Sequence, residues 1–424
     1  MNLKSTLKST YSLLAERSTQ GFANRVGFRL FRDARVLSEL LVPQRFFSKT
    51  VVVKRPSDGA FASFRSWGNE SSLWYLRQCL QRSGLSIIDD EELPDEVPEP
   101  SIEFVWHNRA LSSRFRRSGF LVAPGQVRSR VDLSEGMEMV RSRFLRSAKA
   151  AVRHNRERGL RYHIAQGEGN LTQFYEQMYL PYRQARFPGN PIVKEFDMLR
   201  DFASGSVMLV VTEASVGTFE HLDDALGALL IRSSGASATP DMPGISGDPA
   251  AALDRGVVEA LYYFSLEWCF DQGVQSVDLG QSHPFLDDGI LRFKTKWGAR
   301  VEASQTGLHN LGVRFLDNGW LGKHFLEHHP LILERRVKRR ASLVGISYIP
   351  PDELNYHNVR KLGRSRMIEG LSGLVAVSDP ESTSEAENLA SQVPDVRFLP
   401  CYDLRYLASA LSMPRGMDVT QNSG

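Results

Sequence analysis

The alternation of apolar and polar positions predicts two strands early in the chain, at 47–54 and 60–67. The turn-forming segment Pro56-Ser57-Asp58-Gly59 separates them. Residues 71–82 instead carry apolar side chains at mostly helical spacing, and Gly84 follows as a plausible helix end. This first block is therefore small and mixes helix with strand.

Strands and helices alternate through the centre of the chain. Strands are predicted at 102–106, 119–122, 161–165, 207–213, 225–232, 274–279 and 300–304. A helical pattern begins near Ser134 and ends at Gly159, and further helices are predicted at 171–185, 254–271 and 287–297, with Asp254 as the cap of the helix at 254–271. The segment 233–249, rich in Gly, Ser and Pro, predicts a long loop or an irregular hairpin.

The last part of the chain changes character. Past Leu316 the pattern is interpreted as helical and basic, above all at 334–340 (ERRVKRR). A small β-α-β-α pattern then covers 371–411, with a helix beginning at Glu381. An acidic, Pro-rich segment at 89–100 (DDEELPDEVPEP) reads as an extended connector. The sequence thus predicts an N-terminal α/β lobe (1–100), a central domain (101–305) and a C-terminal extension (306–424).

Composition narrows the class of protein. The chain has 424 residues, 42% of them hydrophobic, and a net charge of only +3, which suits two or three globular domains and does not indicate DNA binding. Its three cysteines are far apart, so a reducing compartment is expected. No apolar run is long enough for a membrane span or a signal peptide. The expected location is cytoplasmic, and contact with a membrane surface stays open.

The most informative motif lies between residues 254 and 299. A helix ends in a glycine, a strand carries D-x-G-x-S, and a second helix carries G-x-x-x-F-K-x-x-W-G. The residues at these places are Gly273, Asp278, Gly280, Ser282, Gly289, Phe293, Lys294, Trp297 and Gly298. In order and spacing this line resembles the acetyltransferase-type domain of the GNAT superfamily, as found in Fem-type peptidoglycan-bridge aminoacyltransferases and in proteins linked to exopolysaccharide and cellulose synthesis.

The resemblance extends upstream and covers about residues 100–305. The basic helix that ends at Gly159 is similar to the family's entry into the domain, and Gly227-Ala228-Leu229-Leu230 is similar to one of its strands. Tyr182, Arg183 and Arg186 resemble its substrate-side helix. The resemblance implies an α/β fold with a GNAT-like mixed sheet flanked by helices, and a second, reduced lobe of the same kind in the first 100 residues.

The resemblance also implies a function. It is the transfer of an acyl or aminoacyl group to an amine of a small-molecule or glycan-precursor acceptor, related to the cell envelope or to polysaccharide. The donor would lie at the helix start Leu253-Asp254-Arg255-Gly256, near Ser282 and Phe293. The usual acetyl-CoA loop, Q/R-x-x-G-x-G/A, is only partly matched there, and Asp254 would repel a phosphate. Acyl-CoA (acetyl-CoA) and charged tRNA therefore both remain candidate donors, and an ordinary helix start is the alternative for Arg255-Gly256.

Three residues are the candidates for chemistry. Lys294 ranks first, because a fixed ammonium could hold a phosphate or stabilise an oxyanion. Asp278, at the end of a strand, is a candidate general base, and His283 is a candidate for substrate binding that would titrate near neutrality. The alternatives are a solvated lysine, an aspartate that only orients its loop, and a surface histidine.

Two further features are weighed separately. Residues 141–161 carry eight basic residues against one Glu, with Arg146, Lys149, Arg153 and Arg156 on roughly one helix face. That face would suit tRNA, an anionic glycan precursor or an acidic membrane, or else it is a solvated face balanced by the acidic connector.

His324-Phe325-Leu326-Glu327-His328 matches an inverted zincin pattern, but Pro330 follows at once and no metal is expected. A non-catalytic GNAT-like binding or scaffold protein remains the alternative to an enzyme.

Overall fold

The computed structural model describes residues 47–68, 70–88, 92–94, 96–165, 168–186, 194–216, 219, 221–304, 309–337, 340–379, 393, 396–400 and 403–412. In chain order the strands are β1 (Phe47–Lys54), β2 (Phe61–Gly68), β3 (Ser86–Ile88), β4 (Pro100–Asn108), β5 (Leu121–Pro124), β6 (Val127–Asp132), β7 (Leu160–Ala165), β8 (Ser206–Glu213), β9 (Gly227–Ser234), β10 (Ser237–Ile245), β11 (Ser276–Ser282), β12 (Arg300–Ala303), β13 (His309–Phe315), β14 (Leu331–Val337), β15 (Arg340–Tyr348), β16 (Leu371–Ser378) and β17 (Val396–Pro400).

The α-helices are α1 (Glu70–Arg82), α2 (Ser112–Arg117), α3 (Met137–Ser142), α4 (Arg146–Glu157), α5 (Glu168–Gln173), α6 (Leu180–Arg186), α7 (Phe196–Ala203), α8 (Pro249–Asp254), α9 (Val257–Asp271), α10 (Gly289–Thr295), α11 (Trp320–His328), α12 (Tyr356–Arg366) and α13 (Leu407–Ser412). A π-helical stretch, Phe174–Tyr179, joins α5 to α6. The α/β class predicted from the sequence is confirmed.

The first sheet has the order β3-β1-β2-β4-β13-β5. Its one parallel pair is β2 with β4, and α1 connects these two strands. α1 buries Tyr75, Leu76, Cys79 and Leu80 in the core of this sheet. The strand β13, which comes from much later in the chain, lies between β4 and β5.

The second sheet has the order β12-β6-β11-β10-β9-β8-β7. Its one parallel pair is β10 with β11, and the connection between them runs through α8 and α9. Here β6, which follows directly on the first sheet's β5, lies between β11 and β12. The two sheets therefore exchange strands. β13, which follows the second sheet's β12, lies beside β4 in the first sheet, and β6, which follows the first sheet's β5, lies beside β11 in the second.

The third sheet, β14-β15-β16-β17, belongs to the C-terminal extension. The helical interpretation of 334–340 is wrong, because β14 and β15 form an antiparallel hairpin there. Because basic residues fill most of 334–340, no alternation of apolar side chains marks a period of two there. The predicted helix beginning at Glu381 lies outside the described residues.

The predicted division at residues 100 and 305 does not separate the sheets. β4 and β5 lie after residue 100 but belong to the first sheet, and β13 returns to that sheet after residue 305. The three-part division stays a prediction about folding units. The strand β6 was not predicted at all, although its burial alternates along VRSRVD.

The start of α9 also differs from the prediction. Asp254 does not cap that helix; it ends α8, whose own cap is Asp248 through bonds to the amides of Ala250 and Ala251. Gly256 precedes α9 with φ +75°, a left-handed conformation that favours glycine. The segment 233–249 is an irregular hairpin, the second of the two predicted alternatives.

Candidate active site

The two parallel strands of the second sheet separate soon after they meet. β10 and β11 pair only at Ser237 with Ser276 and at Ala238 with Val277. Beyond that point each strand is irregular: β10 between Asp241 and Gly244, and β11 between Asp278 and Gln281. We call the space between the diverging strands the strand opening. Backbone polar groups that face it are not used by a strand ladder.

Lys294 lies beside the strand opening and is buried. Its α10 helix holds the side chain at 4% exposure, and Nζ donates a hydrogen bond to the Gln281 carbonyl oxygen at 2.6 Å. Burial lowers the pKa of Lys294 to about 8, although Asp288, Asp241 and Asp278 act in the opposite direction. The alternative of a solvated surface lysine does not describe this residue. A buried ammonium with a lowered pKa is suited to charge stabilisation or proton transfer.

Asp278 is buried and fully engaged by the protein. One oxygen, Oδ1, accepts from the amide of Gly280 at 2.9 Å, and Oδ2 pairs with the Arg128 guanidinium at 2.8 Å. Gly280 has φ +84°, so the carboxylate holds the left-handed residue that makes β11 irregular. This arrangement supports the alternative role of shaping the loop. The role as general base stays a prediction.

Ser282 and Phe293 border the same region. Ser282 ends β11 at 4% exposure, and its Oγ has no hydrogen-bond partner within the described residues. Phe293 packs edge-on against Tyr262, with ring centroids 4.8 Å apart. A buried hydroxyl without a partner costs free energy, which a polar ligand would recover.

His283 does not titrate near neutrality as the sequence analysis expected. Its ring stacks on Tyr75 of α1, with centroids 3.4 Å apart. Burial lowers the pKa of His283 to about 4, with a smaller opposing effect of Asp288. The ring is therefore neutral at pH 7. Its packing joins α1, on the first sheet, to the residues that follow β11 in the second sheet.

The helix α6 carries Tyr182, Arg183 and Arg186, whose role at the substrate side stays a prediction. Burial raises the pKa of Tyr182, while the two arginines lower it. Tyr262 of α9, which the sequence analysis missed, is also buried, and burial raises its pKa. In the sequence, Tyr262 and Tyr263 are neighbours on an apolar helix and look like core residues, so nothing in the pattern singles out Tyr262.

A second unpartnered polar group lies beside the beginning of α9. Asn155 of α4 is 2% exposed, and both atoms of its side-chain amide lack partners in the described part of the chain. Its Oδ1 would lie 3.4 Å from a Cβ placed on Gly256. The first intrahelical bond of α9 is donated by Ala260, so earlier amides remain available. Arg255 is exposed and pairs with Glu213 at 3.6 Å.

The basic face predicted on α4 exists. Arg146, Lys149, Arg153 and Arg156 are all exposed, and the helix buries Ala148, Val152 and Asn155 on its other side. Arg153 pairs with Glu157 at 3.6 Å, and Lys149 donates to the Ser142 carbonyl oxygen. The acidic connector lies partly outside the described residues, so the balancing of this face by the connector stays a prediction.

The histidines of the zincin-like pattern make contacts within the protein. His324 Nε2 lies 3.0 Å from the Ser83 hydroxyl, and His328 Nδ1 lies 3.0 Å from the His324 carbonyl oxygen. The two rings stack, with centroids 4.2 Å apart. Among the described residues, no group of three or more His, Cys, Asp or Glu side chains is placed to hold a metal ion.

None of the helices described has the length and apolar character that crossing a membrane requires.

The end of the sequence motif serves packing. Trp297 is fully buried in the core of the second sheet. Gly298 has φ +70°, and a Cβ there would meet the Arg143 Cβ at 2.9 Å. Because the Leu145 amide also bonds to the Lys296 carbonyl oxygen, this part of the motif fixes the entry of α4.

Comparison with known proteins gives structural neighbours only. No protein-family model matches the sequence, and no curated protein matches it. Among solved structures, FemX is similar over 67% of this chain and 91% of its own, at 13% identity and a TM-score of 0.34. L-PGS from Bacillus licheniformis is similar over 66% of this chain and 86% of its own, at 12% identity and a TM-score of 0.33. A GCN5-related N-acetyltransferase from Sphaerobacter thermophilus is similar over 68% and 85%, at 13% identity and a TM-score of 0.31. FemX and the GCN5-related acetyltransferase carry names from the groups that the motif resemblance gave, L-PGS does not, and the role of no residue is transferred from any of them.

Proposed function

We propose that this chain transfers an acyl or aminoacyl group from an activated donor to an amine on a polar acceptor. The observation that carries the proposal is the buried Lys294 ammonium beside the strand opening. Close to it in the fold are the unpartnered Ser282 hydroxyl and the Phe293 ring that packs on Tyr262. An opening lined by one buried cation and unpartnered donors suits a carbonyl oxygen that becomes negatively charged.

The proposed chemistry balances without a metal or redox cofactor. The acceptor amine attacks the carbonyl carbon of the donor, and a C–N bond forms as the carbonyl oxygen gains negative charge. Lys294 stabilises this oxyanion. When the intermediate collapses, the C–S bond of a thioester or the C–O bond of an aminoacyl ester breaks. The proton lost by the amine goes to the leaving thiolate or alkoxide.

The start of α9 supports a donor carrying phosphates. Free amides at a helix N-terminus attract anions, and the buried Asn155 amide lies beside Gly256. The exposed basic face of α4, a helix that packs on α9, adds positive charge to this part of the molecule. An acyl-CoA and a charged tRNA both have this chemistry, and we place the acceptor among cell-envelope or polysaccharide precursors on the motif resemblance alone.

A non-catalytic binding protein is the second candidate. The observation that favours it is the Asp278 carboxylate, which Arg128 and the Gly280 amide engage on both oxygens. A site without a free base would still bind a donor. It would deprotonate the acceptor slowly.

Calorimetry with acetyl-CoA and, separately, with alanyl-tRNA tests the proposal. Binding of one donor, together with its slow hydrolysis in the absence of acceptor, supports an enzyme. Lys294→Met should lower this turnover by about 100-fold or more while donor affinity changes little. Arg292→Gln, on the exposed side of the same helix, is the matched control and should leave turnover unchanged. Donor binding without turnover favours the second candidate, and binding of neither donor contradicts both.

A further inference from the structure

A polar groove lies well away from the strand opening. It has a volume of about 1120 Å³ and runs along the edge of the second sheet, where β6 and β12 face the turn that leads into β16. Gln275 and Ser276, at the amino end of β11, lie at its base, whereas the strand opening is at the carboxyl end of β11. We call this space the edge groove.

The wall of the edge groove is fixed by backbone contacts. The Val301 amide of β12 donates to the Glu369 carbonyl oxygen at 2.7 Å. Gly370 follows with φ +102°, and a Cβ there would lie 2.1 Å from the Val301 carbonyl oxygen. Only glycine allows the two segments to approach so closely. The groove is therefore a built feature at which the second and third sheets meet.

Four arginines line the edge groove, namely Arg109, Arg130, Arg143 and Arg300. Arg130 and Arg300 are directly opposite each other in the antiparallel pairing of β6 with β12. Cross-strand neighbours point to the same face of a sheet, and like charges in this position repel. Arg300 is exposed and makes no ion pair within the described residues, whereas Arg130 pairs with Glu302, with Nε and Oε2 4.0 Å apart.

Three acidic residues, Asp132, Glu302 and Glu369, also line the edge groove; Glu302 pairs with Arg130, and none of the described acids pairs with Arg300. Asp132 accepts from the Ser134 amide and hydroxyl at 2.9 and 2.6 Å, and Glu369 lies on the opposite wall. The Ser276 hydroxyl is buried and has no partner in the described part of the chain. A repelling pair of guanidinium groups beside an unused hydroxyl matches an anion that accepts hydrogen bonds.

We propose that the edge groove binds a polar ligand carrying phosphate or carboxylate groups, with Arg130 and Arg300 on one anionic group and the Ser276 hydroxyl as an additional donor. The planar guanidinium presents paired N–H groups that match both kinds of oxyanion. The volume of the groove admits a ligand larger than a single phosphate. This inference does not depend on the proposed transferase activity.

Two probes distinguish the sources of negative charge. Inorganic tripolyphosphate supplies phosphates and trigalacturonate supplies carboxylates, and each is titrated into the full chain by calorimetry at about 0.1 M salt, where long-range attraction is screened. Binding of either probe, weakened at least tenfold by Arg300→Gln, supports the proposal and identifies the preferred group. Arg300→Lys keeps the charge but loses the planar fork, and we expect an intermediate affinity.

Arg161→Gln is the matched control, since it removes one exposed arginine from β7 at the far edge of the same sheet. It should bind the probes like the unmodified chain. Without a probe, Arg300→Gln should raise the melting temperature by about 1 °C, because it ends the repulsion with Arg130. This gain also shows that the variant is folded. The proposal is overturned if neither probe binds the unmodified chain, or if Arg300→Gln and Arg161→Gln bind equally well.

Discussion

The parallel strand pairs of the first and second sheets are both connected through a helix, but one pair stays together and the other separates. In the first sheet β2 and β4 stay paired from Ser63–Pro100 to Trp67–Val105. In the second sheet β10 and β11 pair at two positions and then diverge. Each pair is connected through a helix that covers its sheet, so the connection does not decide whether the strands separate.

The side chains explain the difference. Around the closed pair, the Trp67 indole donates to Glu103 at 3.0 Å and Arg314 pairs with the same carboxylate at 2.6 Å. A Cβ on Gly68 would lie only 3.0 Å from the Trp106 ring, so the packing there is tight. Around the open pair, the Ser282 hydroxyl has no partner among the described residues and Lys294 is buried. The side chains around β2 and β4 hold those strands together, whereas the opening between β10 and β11 leaves space for a ligand.

We call the first sheet with α1 the closed lobe and the second sheet with α10 the open lobe. The closed lobe also holds the open lobe in place. Tyr75 of α1 donates to Asp288 Oδ2 at 3.0 Å, and Asp288 Oδ1 accepts from the Leu291 amide at 2.8 Å, which caps α10. Since α10 carries Lys294, a hydrogen bond from the first lobe orients the candidate catalytic helix of the second. The predictions below test this division into a supporting and an open lobe.

The largest expected effect is at His283, between the lobes. Its pKa is lowered to about 4, below the ordinary 6.5, so folding opposes protonation and stability falls as the pH drops from about 6.5 to 4. His283→Phe keeps a ring against Tyr75 and removes this loss, which amounts to up to about 3 kcal/mol at pH 4. Denaturant unfolding at pH 7 and pH 4 measures it. An unchanged difference between the two pH values would place the acid sensitivity elsewhere, for instance at His329.

Lys294→Met should stabilise the open lobe at neutral pH. The pKa of Lys294 is lowered to about 8, so the cost of burying the ammonium is full below pH 8 and vanishes toward pH 10.5. Removal of the charge should raise the free energy of unfolding at pH 7 by about 1–3 kcal/mol. Thermal melts of Lys294→Met and Arg292→Gln from pH 7 to 10 measure the gain. A lower melting temperature at pH 7 would mean that the neighbouring carboxylates stabilise the ammonium.

Tyr75→Phe should weaken the contact between the lobes by about 1–2 kcal/mol, because it leaves the buried Asp288 oxygen without its donor. Tyr406→Phe is the matched control, since that tyrosine is 61% exposed. A double-mutant cycle with Asp288→Asn isolates the pair. A coupling free energy near zero would show that the hydrogen bond does not join the lobes.

The smallest effect is expected at Arg255. Its pair with Glu213 is exposed and 3.6 Å long, so Arg255→Gln should change the free energy of unfolding by less than about 0.5 kcal/mol. Donor affinity, measured by calorimetry, should fall more than stability if Arg255 contacts a phosphate. Equal, small effects on both would make Arg255 an ordinary surface residue.

Local patterns predicted most elements of the fold but not its long-range pairing. The motif that carries Asp278, Gly280 and Lys294 could be located in the sequence, and the structure places it at the strand opening. It could not show that Asp278 pairs with Arg128, because that contact depends on the register of β6 against β11. Asn155 was hidden for the same reason, since an asparagine in a basic helix looks solvated until α9 is packed against it.

The strand exchange between the sheets has a consequence for biosynthesis. β5 pairs only with β13 in the described part of the chain, so the first sheet cannot close until residue 315 has been made. At roughly 5–20 residues per second, the edges of β4 and β5 wait on the order of ten seconds or more for their partner. Exposed strand edges are sites of aggregation. A fragment ending at residue 305 would keep this nascent state permanently, so an expression boundary should be placed beyond β13.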